Sequence, residues 1–196
     1  MKRLALVVLS FAILSACTSK PESPPEEKKV QPPELLTGRS AFQQLYIAAR
    51  GWAGDVRPYM LQSEVIGDNK GKDGKAVLWR AAFASAQMRG SKPYVWSGID
   101  APDAPARGIS PGTQDSYSPS NSFDVAFLKV DSDKALEVAQ KHGGDKAGDT
   151  PVLYSLEWNR PGNNLVWHVI YGPSRNDAKL TVDVDASTGE FIRKEK

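Results

Sequence analysis

Leu165-Val166-Trp167-His168-Val169-Ile170-Tyr171, then Leu180-Thr181-Val182-Asp183-Val184-Asp185, then Phe191-Ile192-Arg193-Lys194 is the stretch that decides the fold. Leu165, Trp167, Val169 and Tyr171 fall on one face of an extended strand, and Leu180, Val182 and Val184 on one face of the next. The segments between them are polar and rich in turn formers. The pattern predicts an antiparallel meander that closes a small sheet.

Upstream, the same kinds of signal recur. Thr37 to Ser40 offers cap residues before Phe42, Leu45, Tyr46, Ala49 and Trp52, which share one helical face. Strands are expected over Tyr59 to Ile66, Ala76 to Ala86 and Tyr94 to Ile99. The Gly67 to Gly74 cluster between the first two is a turn. Asp100 to Ser122 is rich in Pro, Ser and Gly without a period, and reads as a flexible loop or linker. Phe123 to Val130 is strand-like. Asp131 and Asp133 then cap a helix of about ten residues that stops at Gly143-Gly144. Val152 to Trp158 is the next strand.

The order helix, turn, strand, hairpin, strand thus occurs twice, with Trp79 and Trp158 in the early strands and Trp96 and Trp167 in the later ones. The expected class is α+β: two small units of antiparallel sheet plus helix, residues 37–99 and 123–196, joined by 100–122 and built as a duplicated repeat.

The N-terminus carries an address. Lys2 and Arg3 precede an apolar run from Leu4 to Ala16. That run spans about 20 Å as a helix, short of a bilayer core, and reads as a signal peptide over residues 1–16. It ends in Leu14-Ser15-Ala16-Cys17, which resembles the bacterial lipobox. The resemblance implies a diacylglyceryl thioether on Cys17 and cleavage ahead of it, with palmitate-type chains as a membrane anchor. Thr18 in place of aspartate implies the outer membrane, facing the periplasm. Residues 17–36 contain Pro21, Pro24, Pro25, Pro32 and Pro33 among charged residues and read as a disordered tether.

Charge and composition narrow the function. The whole chain has 25 basic and 23 acidic side chains. Without Lys2 and Arg3 the two signs balance, so no basic stripe speaks for nucleic acid. Cys17 is the sole cysteine, which excludes an internal disulfide. The glycine cluster spaces its acids wrongly for a calcium loop and mixes in Lys70, Lys72 and Lys75. No metal, cofactor or catalytic set is expected. His142 sits at a helix end, His168 on the strand face opposite Trp167, and neither has an evident partner. Asp183 and Asp185 share a strand face beside a turn and read as solvated.

Asp133 to Ala139, Trp167 to Tyr171 and the ending Val182-Asp-Val-Asp-Ala-Ser-Thr-Gly-Glu-Phe191 resemble the PepSY family, small extracytoplasmic modules with a helix on an antiparallel sheet. Within that ending Asp185, Thr188 and Gly189 form the turn. The extra Val-Asp step and Phe191 depart from the family pattern. Ala53-Gly54-Asp55 and Lys75 to Trp79 mark residues 37–99 as a more divergent copy. The resemblance implies a non-enzymatic binding or inhibitory module with a protein or peptide partner, peptidase regulation included. A structural or assembly lipoprotein of the envelope is the second reading and a hydrolase the third.

Overall fold

The computed structural model describes residues 31–116 and 121–195. In chain order the elements are β1 (Leu36–Thr37), α1 (Gly38–Trp52), β2 (Arg57–Glu64), β3 (Lys75–Ala76), β4 (Leu78–Ser85) and β5 (Gly90–Ser97). They continue with β6 (Gly108–Pro111), β7 (Asp115–Ser116), α2 (Ser132–Lys141), β8 (Val152–Asn159), β9 (Asn164–Tyr171), β10 (Leu180–Asp185) and β11 (Phe191–Glu195). The class is α+β. Nine strands form one antiparallel sheet in the order β11-β10-β9-β8-β2-β4-β5-β6, with β7 on the same edge of β5 as β6. The strands of the two sequence halves meet at β2 and β8, where Leu61 faces Leu156.

Both helices pack on one side of this sheet, α1 over β2, β4 and β5, and α2 over β9 and β10. The apolar faces read from the sequence make the core between the layers. Leu165, Trp167, Val169 and Tyr171 join Val182, Val184, Trp79, Phe83, Leu45 and Ala135 there. Burying each large side chain stabilises the fold by about 2 kcal/mol.

The halves follow one plan. Outward from the centre run β2, β4, β5 and β6 after α1, and β8, β9, β10 and β11 after α2. Trp79 and Trp167 occupy the second strand of each half and meet edge to face at 6.4 Å. Trp79 Nε1 donates to Leu36 O at 2.9 Å, and Trp167 Nε1 donates to Val130 O at 2.9 Å. Each acceptor lies two positions ahead of its helix. Strand order therefore matches Trp79 with Trp167, not with Trp158, which lies in β8, the counterpart of β2.

The helix N-termini meet beside the two indoles. Asp131 Oδ1 accepts the amides of Ser132 (2.7 Å) and Arg39 (2.8 Å), and its Oδ2 accepts from the Thr37 hydroxyl at 2.7 Å. One carboxylate thus caps both helices, where both dipoles present their positive ends. Gly38 lies against the indoles, and a Cβ there would stand 2.5 Å from Trp167 Cη2.

Three expectations change. Phe123 to Val130 is not a strand: Val125–Phe127 is a 3-10 turn, with the Asp124 carboxylate accepting from Ala126 N at 2.9 Å. Phe123 and Leu128 are apolar because they plug the core. The stretch 100–122, read as a flexible linker, contributes β6 and β7 to the sheet, because an edge strand needs one partner and tolerates Pro111. The end of the tether lies on the body: Glu34 N donates to Gly98 O at 2.8 Å, and β1 pairs with β3.

Candidate functional site: a polar row on the helix-free face

Residues opposite one another on paired strands share a face of the sheet. On the side away from both helices, registration aligns Arg80 (β4), Gln62 (β2), Ser155 (β8), His168 (β9), Asp183 (β10) and Arg193 (β11). Six consecutive strands thus carry six polar side chains in one row, about 24 Å long at the usual strand spacing. Among the described residues no helix covers this face.

The β10–β11 end of the row is tightly organised. His168 Nδ1 donates to Asp183 Oδ1 at 2.5 Å, and Arg193 Nε donates to Asp183 Oδ2 at 2.8 Å. Asp183 is 3% exposed and His168 7%, whereas Arg193 is exposed. Burial pushes the Asp183 carboxyl up, but the bonds and charges of His168 and Arg193 outweigh it and hold the group below the usual carboxylate range. The expectation that Asp183 is solvated is thereby corrected. Strand β10 is not an edge: β9 and β11 flank it and place a partner on each side. His168, read as lacking an acid, has one.

Beside the row, Arg175 reaches from the β9–β10 connection to Glu157 Oε1 at 2.9 Å, and Arg80 pairs with Glu64. Ser155 stands next to His168, yet its hydroxyl donates to Glu157 Oε1 at 3.0 Å. The row therefore presents hydrogen-bonding groups and charges of both signs, and the Ser155 hydroxyl beside the imidazole is committed to Glu157. Two hollows lie along it. One of about 290 Å³ is lined by His168, Asp183, Ile192 and Arg193, the other of about 490 Å³ by Gln62, Glu64, Leu153 and Ile170. Glu157 and Arg175 border both.

The residues singled out in the sequence lie elsewhere. Leu14, Ser15, Ala16 and Cys17 are outside the described residues. Asp185 Oδ1 accepts the amides of Ser187 (2.8 Å) and Thr188 (3.0 Å), and Gly189 closes the turn at φ 81°. Asp185 also accepts from Asn164 and does not join the row. His142 ends α2 and stacks flat on Phe191 at 3.8 Å. A sequence sign of the row existed: His168 and Asp183 both alternate against core residues. Their registration, set across an eight-residue connection (172–179), was not readable.

No protein-family profile and no curated protein matches the chain. Among solved structures the fold is similar to the crystal structure of a "putative lipoprotein (CD1622) from Clostridium difficile 630". The TM-score is 0.54 and the identity 10%, over 86% of this chain and 95% of that one. At that identity the likeness is one of fold.

Proposed function

We propose that the chain is an extracytoplasmic lipoprotein, anchored through Cys17, that holds a protein or peptide partner on the helix-free face of its sheet. The polar row carries the reading: six strands present Arg80 to Arg193 on a face that neither helix covers, bordered by Glu64, Glu157 and Arg175. Charges of both signs at fixed spacing give register and partner choice more than raw affinity. Binding is favoured over hydrolysis because the Ser155 hydroxyl is committed to Glu157. The anchor is supported by the Leu14 to Cys17 motif, and the fold neighbour is itself called a "putative lipoprotein". Thr18 favours the outer membrane, facing the periplasm. The two matched halves fit a tandem PepSY-like arrangement, for which a peptidase is the expected partner.

The test is recovery of partners with the full lipidated chain from membranes. The pair Arg80→Glu and Arg175→Glu reverses charges beside both hollows and is expected to cut recovery about tenfold, equivalent to 1.4 kcal/mol. Lys134→Glu, on the outer face of α2, leaves recovery unchanged. Equal recovery by all three proteins overturns the assignment of the face. Recovery of an envelope complex in place of a peptidase keeps the face and selects the assembly reading.

A further inference from the structure

A third hollow lies at the far end of α2, on the helix side of the sheet and away from the polar row. It measures about 420 Å³ and is lined by His142, Gly143, Lys146, Ala147, Lys179, Leu180 and Lys194. Its three lysines come from separate elements: Lys146 from the 3-10 turn after α2, Lys179 from the approach to β10, and Lys194 from β11. No carboxylate is on the lining. Among the described residues none of the three takes part in an ion pair, and their one side-chain hydrogen bond runs from Lys179 Nζ to Thr150 Oγ1 at 3.2 Å. Of the neighbouring acids, Glu195 is engaged by Arg193 at 3.0 Å and Asp149 by Lys70 and Lys72, while Asp145, next to Lys146, is exposed and off the lining.

The negative end of α2 accounts for a cation at Lys141. It does not account for Lys179 and Lys194, which approach from the sheet. A chain with balanced charge outside its leader has here gathered three positive charges around one hollow. Excess positive charge around a hollow attracts an anion. Arginine and lysine both bind phosphate, arginine through a planar bidentate fork and lysine as a compact point charge, and three ammonium groups on separate elements can approach one tetrahedral phosphoryl group from several directions. The volume falls in the range of small-molecule sites and exceeds that of bare phosphate, and Leu180 and Ala147 supply an apolar wall. We infer that this hollow binds an organic phosphate through Lys146, Lys179 and Lys194. Two sources offer that chemistry: a soluble phosphate ester and an anionic phospholipid headgroup.

The test reads each lysine separately. The full chain is treated with an amine-acylating reagent and labelling rates are measured by mass spectrometry. In one arm the chain is in neutral detergent with glycerol 3-phosphate, against sodium chloride at equal ionic strength. In the other it is in phosphatidylcholine vesicles with or without phosphatidylglycerol. At ligand ten times above its dissociation constant, Lys146, Lys179 and Lys194 are expected to label about tenfold more slowly. Lys75, Lys92 and Lys134 stay unchanged. Protection by glycerol 3-phosphate assigns a soluble ligand, and protection by phosphatidylglycerol vesicles alone assigns a headgroup. In the double variant Lys146→Gln, Lys194→Gln the protection of Lys179 is lost. Three lysines protected no more than the controls in both arms, or protection that survives in the double variant, overturns the site.

Discussion

Asp131 is predicted to be the costliest single acid to remove, because one carboxylate serves two helices. It accepts the Ser132 amide at the start of α2, the Arg39 amide at the start of α1 and the Thr37 hydroxyl. A helix cap contributes about 1 kcal/mol. A hydrogen bond to a charged acceptor contributes a little over 1 kcal/mol. Asp131→Ala removes two caps and one such bond together, for about 3 kcal/mol. Asp131→Asn keeps an oxygen for the two amides and loses the acceptor for Thr37, for about 1 kcal/mol. Asp133→Ala is the control. Asp133 lies in the first turn of α2 but bonds only the neighbouring Lys134 amide, so its cost stays below about 1 kcal/mol. Urea unfolding of the full chain in neutral detergent, followed by tryptophan fluorescence, measures all three, compared at unchanged m. If Asp131→Ala costs no more than Asp133→Ala, the shared cap does not hold the halves together.

Other outcomes follow from the same contacts. Gly38→Ala places a methyl against Trp167 and is expected to destabilise by about 1–3 kcal/mol; Gly51→Ala, in open space on the same helix, stabilises by about 0.5–1 kcal/mol, and equal effects in unfolding experiments would refute the packing at Gly38. Asp183→Ala leaves the His168 Nδ1–H buried without its acceptor while Arg193 returns to water, for about 1–3 kcal/mol, whereas Arg193→Gln costs less than about 1 kcal/mol. Because the folded Asp183 carboxyl titrates below its unfolded value, its contribution is complete above the unfolded value near 3.9 and disappears as pH falls through the folded one. The stability gap between the native chain and Asp183→Asn should therefore close as pH falls below the unfolded carboxyl value, and a gap that widens in acid contradicts the pairing. Cys17→Ser is expected to move the protein out of the membrane fraction; unchanged fractionation with no acyl mass on the N-terminal peptide would remove the anchor.

Sequence periodicity revealed the layers because burial on one side of each element dictates it. Phe42, Leu45 and Ala49 mark α1 and the Trp167 face marks β9, and these side chains meet in the core. Phe123 to Leu128 misled because a loop that plugs a core needs the same apolar residues as a strand. Residues 108–116 stayed hidden because edge strands exposed to water need no apolar alternation. The polar row was half legible. Alternation put His168 and Asp183 opposite their core neighbours. Neighbourhood across β8, β9, β10 and β11 depends on registration, and registration is a property of paired strands rather than of any one segment. Asp185 was legible as turn chemistry because its partners, Ser187 and Thr188, are two and three residues away.

The most direct test of the binding face is site-specific photocrosslinking in cells with the lipidated protein. A photoreactive residue at Gln62, one strand in from the Arg80 end of the row and partly exposed, is expected to give a discrete adduct with the partner. The same residue at Ile47, 65% exposed on α1 at the opposite side of the sheet, is expected to give none. An adduct from Ile47 with none from Gln62 would place the partner on the helices and contradict the account.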